Sequence, residues 1–230
     1  MRRLLFTGLG VVISSALLIG ILWPLTPSVT GAEDVISGTL KTQHGVDLRS
    51  LPAPDKVGLA VIATEDSRFY AHHGIDPQGI ARALFGFTRG GQDPGGATLD
   101  QQLAKNLYTP RDSLLDKVIQ VELSFKLEAS FTKPQILEMY LSAVYYGHGF
   151  YGLDAAANGY FGRKPADLSW AQASLLAGLL QAPSAYDPYA HPQRARSRQR
   201  HVLDRLVAVH TLTQTQADAS YNSALALRPG

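Results

Sequence analysis

Two apolar rhythms run along the chain. The first is a block: Leu4 to Leu25 holds no charged residue over 22 positions and follows Arg2 and Arg3. The second is a recurrence at i, i+3 and i+4, the period of helices with one buried face, which starts at Asp55 and continues to the end. Four [ST]-x-x-Q patterns each open one of these periodic runs, at Thr98/Gln101, Thr132/Gln135, Ser169/Gln172 and Thr213/Gln216. Such a pattern lets the first side chain cap the helix amides while the glutamine reaches back to the cap residue's own N–H. Asp76-Pro77 marks a further start, a cap followed by proline at the first helical position. The pattern predicts helices near residues 55–70, 76–88, 98–108, 113–130, 133–145, 169–180, 192–209 and 213–227, with no alternating run and no fixed-period repeat in competition. Thr26 to Pro54, rich in Pro, Gly, Ser and Thr, reads as a tether with a short strand at "DVISGTLKT". The expected organisation is therefore residues 1–25 as a basic pair and anchor, 26–54 as tether, and 55–230 as a mainly α domain.

The apolar block is long enough to span a bilayer core, which takes about 20 helical residues. Arg2 and Arg3 place its start on the cytoplasmic side, so the domain is expected on the outer face of the inner membrane, held by a single pass. Trp23 and Pro24 stand where such a helix would end. A cleaved signal peptide is the rival reading, but its apolar region is usually shorter and no A-x-A-like site follows closely. Composition adds that 45% of the residues are hydrophobic and 17% charged, enough for a packed core. No cysteine is present, which excludes disulfides, a thiol nucleophile and thiolate metal sites. A net charge of +2 gives no argument for nucleic acid. Five arginines from Arg194 to Arg205 read as an exposed helix face beside anionic lipid or substrate.

One stretch breaks the pattern. The apolar "VGLAVI" runs into "ATEDSRFYAHHG", which sets Glu65 and Asp66 at the end of a core helix. A carboxylate at the rim of a core can act as a general base or acid; the alternative is a solvated pair on a helix end. His72 and His73 are adjacent, so their side chains diverge and do not chelate one ion; capping or packing suits them better. "DPGGATLDQQLAKNLY" is a glycine turn entering a helix, with Gln101, Gln102, Lys105 and then Arg111 available to an anionic sugar ligand; it lacks the P-loop spacing, and alone it equally describes an ordinary amphipathic helix.

Together these stretches resemble the peptidoglycan glycosyltransferases of the lysozyme-like family 51. The pattern E-D-x-x-F-x-x-H-x-G is met by Glu65, Asp66, Phe69, His72 and Gly74; G-G-S-T-x-x-Q-Q-x-x-K-N by Gly95, Gly96, Thr98, Gln101, Gln102, Lys105 and Asn106; K-x-x-I-L-E-x-Y-L by Lys133, Ile136, Leu137, Glu138, Tyr140 and Leu141; and R-x-x-x-V-L by Arg198, Val202 and Leu203. The resemblance spans roughly Leu51 to Leu227 and, as no penicillin-binding region follows, is to the monofunctional form. Four positions depart from the family: Ala97 replaces a serine, Asp100 a frequent threonine, Gln120 the family's second functional glutamate, and Asp116 is also off pattern. Glu122 is nearby, but two residues turn a helix by about 200°, so it faces elsewhere.

The resemblance implies a lysozyme-like helical fold and polymerisation of lipid II. Glu65 would be the general base and Lys105 and Arg111 would hold the pyrophosphate. Gln101, Gln102 and Asn106 would orient sugar or phosphate, Gln120 would contact the substrate, and Asp66 would orient its neighbours. No cofactor is required, although a divalent cation could assist at the pyrophosphate. The implied partners are lipid II, the growing glycan, the membrane and, as candidates, cell-wall synthesis or division proteins, with no nucleic acid. Ala81 to Gly96 resembles a membrane-dipping jaw; an ordinary core helix and loop is the plainer alternative. Two other functions stay open: a low-activity or inactive paralogue that binds lipid-linked precursor or a division partner, and a lytic enzyme that uses Glu65 as an acid.

Overall fold

A computed structural model of the protein describes residues 20, 23–42, 56–79, 97–109, 111 and 113–229. Nearly all of the expected anchor and the whole jaw segment, Ala81 to Gly96, lie outside these residues. Among the described residues no helix is long and apolar enough to cross a membrane. The described helices are α1 (Ala32–Thr42), α2 (Lys56–Glu65), α3 (Leu99–Tyr108), α4 (Leu114–Ser130), α5 (Lys133–Ala143), α6 (Leu153–Phe161), α7 (Trp170–Leu179), α8 (Pro192–Ala208) and α9 (Gln214–Asn222), with 3-10 turns at Phe69–Ala71 and Pro165–Asp167. The described residues contain no strand, only two isolated bridges, His73 to Ile75 and Tyr145 to Tyr151. The fold is mainly α, as the periodicity implies.

The capping signals do what their chemistry predicts. Gln101, Gln135, Gln172 and Gln216 each accept the N–H of their cap residue, at 3.0, 2.8, 3.0 and 2.8 Å. A fifth cap comes from a position that departs from the family motif: the Asp116 carboxylate accepts from Ser113 N (3.1 Å) and Ser113 Oγ (2.6 Å). Those donors hold its carboxyl below the usual range.

Helix α7 is apolar around its whole circumference and is buried from Ala171 to Leu179, the pattern of a helix enclosed on all sides. Helices α2, α8 and α9 pack around it, while α3 packs on α4 and α5. Gly178 lets α8 come close, since a Cβ there would lie 3.1 Å from Cγ of Arg198.

Two expectations need correction. The segment read as a strand is helix α1, and its tether folds back onto the domain: Val29, Ala32 and Ile36 are buried in the core. Apolar residues spaced i, i+3 and i+7 form one helical stripe, and Glu33 and Asp34 favour the first turn. Ahead of α1, the buried Lys126 ammonium donates to the carbonyls of Trp23 (2.8 Å), Thr26 (2.9 Å) and Pro27 (3.1 Å), and lies 5.4 Å from the Trp23 ring centre. Helix α6 is the second correction. Residues 153–161 have no Ser, Thr or Pro start signal, because Gly152 at φ 79° opens the helix and Gly162 at φ 64° ends it.

Candidate active site

Glu65 is the last residue of α2, whose Val57, Ala60, Val61 and Ala63 are buried. A carboxylate at a helix C-terminus faces carbonyls of like partial charge, so its anion depends on donors from elsewhere. Two helices supply them. Gln102 Nε2 of α3 donates to Glu65 Oε2 at 3.3 Å, and Arg198 of α8 pairs with Glu65 Oε1 at 3.4 Å. The pair is largely withdrawn from solvent, with side-chain exposures of 11% for Arg198 and 16% for Glu65. Tyr140 of α5 donates to Gln102 Oε1 at 2.9 Å. Burial, and then the Glu65 charge, keep the Tyr140 phenol protonated well above its ordinary range. Arg205 fastens α8 to the end of α2 through the Ala63 carbonyl, at 3.1 Å.

Asp66 turns the other way. It is buried, meets His72 Nε2 at 3.0 and 2.9 Å, and accepts the first amide of α3, Leu99 N, at 3.0 Å. It therefore ties the loop after α2 to the start of α3. Gly74 continues the junction: its carbonyl accepts from Thr98 Oγ1 at 2.6 Å and its N–H donates to Glu128 at 3.2 Å. At φ 84°, with a Cβ position 3.0 Å from the Ser124 carbonyl carbon, this site admits only glycine.

Beneath lies a charged cluster. Asp100 is fully buried on α3, and Lys133 Nζ lies 3.4 Å from it. Lys133 also pairs with Glu128 and sits 4.2 Å from the Phe69 ring centre. Burial, with the neighbouring Glu128 charge, raises the Asp100 carboxyl to about 7 against the pull of Lys133. Burial also acts on Glu128, but hydrogen bonds from Lys133 and Asp100 outweigh it and hold its carboxyl below the usual range. Asp66, His72 and Asp100 bring ligand-type atoms within 4.8 Å of one another; the Lys133 ammonium already supplies the cluster with positive charge.

The remaining residues named from sequence are placed as follows. Gln101 Oε1 is occupied by the α3 cap. Lys105 and Asn106 lie three and four residues past Gln102 on α3, about one turn along the helix. Arg111 stands exposed beyond that helix. Gln120 is buried and donates to Thr109 Oγ1 at 3.0 Å, at the C-terminal end of α3. Glu122 faces elsewhere, as expected, one turn before Lys126. It is 1% exposed, neither carboxylate oxygen has a described partner, and burial raises its pKa against the nearby Lys126 charge.

The arginine run is a correction. Arg198 and Arg205 reach α2; Arg196 bonds Gln199 and the Tyr221 carbonyl; Arg200 pairs with Asp204 at 2.8 Å and Asp218 at 2.6 Å. These four bind the chain to itself because the charged positions flank the buried stripe of Gln199, Val202, Leu203 and Leu206. Arg198 and Tyr140 are the two site residues to which the motifs had assigned no role.

A helical domain in which four elements converge on one shielded carboxylate has the architecture of an acid–base enzyme. A protein-family model described as Transglycosylase matches residues 33–207. The chain belongs to this family, the peptidoglycan glycosyltransferases that its motifs resemble. It is 39% identical over 207 residues to penicillin-binding protein 1A of Aquifex aeolicus (strain VF5), covering 89% of this chain and 28% of the relative. It is 38% identical over 204 residues to penicillin-binding protein 1A of Neisseria lactamica, covering 88% of this chain and 25% of the relative. The chain thus spans about a quarter of the length of these relatives. A crystal structure of penicillin-binding protein 1A from Haemophilus influenzae matches 57% of this chain and 17% of that one, at 25% identity and a TM-score of 0.40.

Proposed function

We propose that the protein is a membrane-anchored peptidoglycan glycosyltransferase with a lysozyme-like catalytic domain that polymerises lipid II on the outer face of the inner membrane. The observation that carries this reading is the Glu65 carboxylate, shielded at the end of a core helix and held by Gln102 and Arg198. Glu65 removes the proton from the GlcNAc 4-hydroxyl of lipid II as that oxygen bonds to the anomeric carbon of the growing chain's terminal MurNAc. The bond from that carbon to the pyrophosphate oxygen breaks with inversion, and the electron pair leaves with undecaprenyl pyrophosphate. Lys105, one turn past Gln102, offsets the charge on the leaving group, with Arg111 joining it once substrate is bound. Donors fixed in advance are worth most where charge develops; losing one costs about 3 kcal/mol of barrier. Gln101, Gln102 and Asn106 orient sugar and phosphate groups. A divalent cation, if bound beside the pyrophosphate, would supply positive charge alongside Lys105. Candidate protein partners are other cell-wall synthesis or division proteins.

Incubating the full chain with labelled lipid II tests the reading: polymer is expected, and Glu65→Gln abolishes it. Full polymerisation by that variant would refute the base assignment. Cleavage of preformed glycan without polymer would point to a lytic enzyme. A second reading, a low-activity paralogue that chiefly binds lipid-linked precursor, is favoured by Gln120, a neutral amide where the family has a functional glutamate. Gln120→Glu separates the two. The Thr109 hydroxyl can reverse to donate to the new carboxylate, so the fold should hold. A rise in rate of tenfold or so, about 1.4 kcal/mol of barrier, would mark the natural protein as attenuated, whereas an unchanged or lower rate would show it adapted to the amide.

A further inference from the structure

Gln102 is an ambidextrous side chain, with an acceptor oxygen and a donor nitrogen of nearly the same shape. Only one orientation of its amide helps a neighbouring carboxylate. With Nε2 towards Glu65 the contact is a hydrogen bond; with Oε1 there, two oxygens carrying negative charge face each other. The Glu65 anion itself favours the first, and Tyr140 reinforces it. Its hydroxyl is buried and donates to Gln102 Oε1 at 2.9 Å, which leaves Nε2 directed at Glu65 Oε2, 3.3 Å away. The three residues come from α5, α3 and α2, so the relay crosses the helix packing and does not follow one surface.

We propose that Tyr140 is a positioning residue for the base: by donating to Gln102 Oε1 it biases the amide so that its donor meets Glu65. The proposal rests on the reading of Glu65 as the general base. Towards that carboxylate come Arg198 from α8 and the Tyr140 phenol from α5, while Arg205 of α8 bonds the Ala63 carbonyl two residues earlier and Asp66, its sequence neighbour, is turned to His72. Removing the Tyr140 hydroxyl leaves Arg198 in place and takes away only the constraint on the amide. The Glu65 anion then loses part of its stabilisation, and a fraction of the molecules hold the amide the wrong way round.

The test uses the full chain in lipid vesicles with lipid II as substrate. Tyr140→Phe should lower kcat by up to about tenfold, the upper scale of one neutral hydrogen bond, with KM within about twofold. The acid limb of the pH–rate profile should move up by about half a pH unit. Replacing Tyr140 by 3-fluorotyrosine, a stronger donor of almost the same size, should move that limb down, and it serves as the probe if the phenylalanine variant does not fold. A hydroxyl with only a structural role would lower thermal stability and leave the limb where it is. If the limb stays fixed in both variants while Glu65→Gln abolishes polymerisation, the relay is wrong and the base assignment stands. If Glu65→Gln keeps its rate, both fall.

Discussion

Asp100 is an unusual residue to bury, and its removal should stabilise the protein at alkaline pH. The side chain is fully inaccessible and lies beside Glu128, Lys133 and His72. Its carboxyl titrates at about 7 in the folded protein, against 3.8 for an ordinary aspartate, with burial as the main cause. The unfolded chain therefore releases this proton about three pH units earlier than the folded one. Since the folded value is raised, the stabilising contribution is complete below about 4 and is lost as pH climbs to about 7. At roughly 1.4 kcal/mol per unit, the loss is at most ~4 kcal/mol. Asp100→Asn keeps the shape without a charge to bury, but forgoes the attraction to Lys133 at high pH, so the net gain at pH 8 should be ~2 kcal/mol or more. At pH 5, where the natural residue is mostly protonated when folded, the variant and the parent should differ much less. Denaturant unfolding of both proteins in detergent at pH 5 and pH 8 measures this directly. An advantage that is the same at both pH values, or absent at pH 8, would refute the argument, because only a buried proton-binding group makes the difference depend on pH.

Two further outcomes follow from the packing. Gly74→Ala should cost ~2 kcal/mol or more, through a left-handed backbone and a Cβ pressed against the Ser124 carbonyl carbon at 3.0 Å; thermal unfolding within a degree of the parent would contradict this. Lys126→Met should release residues 23–27 from α4 while the core around α7 stays intact. Hydrogen exchange should then quicken at Val29 and Ala32 but not at Leu175 or Leu176, and unchanged protection at Ala32 would count against the clamp.

Much of this fold can be read from the chain because its helices announce their own beginnings. Each Ser/Thr–Gln pair is a local device that satisfies amides within a few residues, so it works in the sequence as it does in the structure. Helix α6 carries no such device, since glycine backbone conformations bound it, and those are invisible until φ is known. Helix α1 is hidden for another reason: its stripe of Val29, Ala32 and Ile36 is narrow, and what it packs on lies across the domain on α5. In the site, Glu65 is legible because charge interrupts an apolar run. Its partners are not, because Gln102, Tyr140 and Arg198 meet only after three other helices have packed. One hint was available: Arg198 borders the stripe of Gln199, Val202, Leu203 and Leu206, where an arginine has little room to reach water.

Lys126 and Glu128 sit two residues apart on α4. One grips the segment that leads in from residue 23; the other, through Gly74, braces the loop that follows the base. The incoming segment and the loop after Glu65 are therefore joined through one helix. On this arrangement the segment from residue 23 joins the domain as by a bracket and not a string.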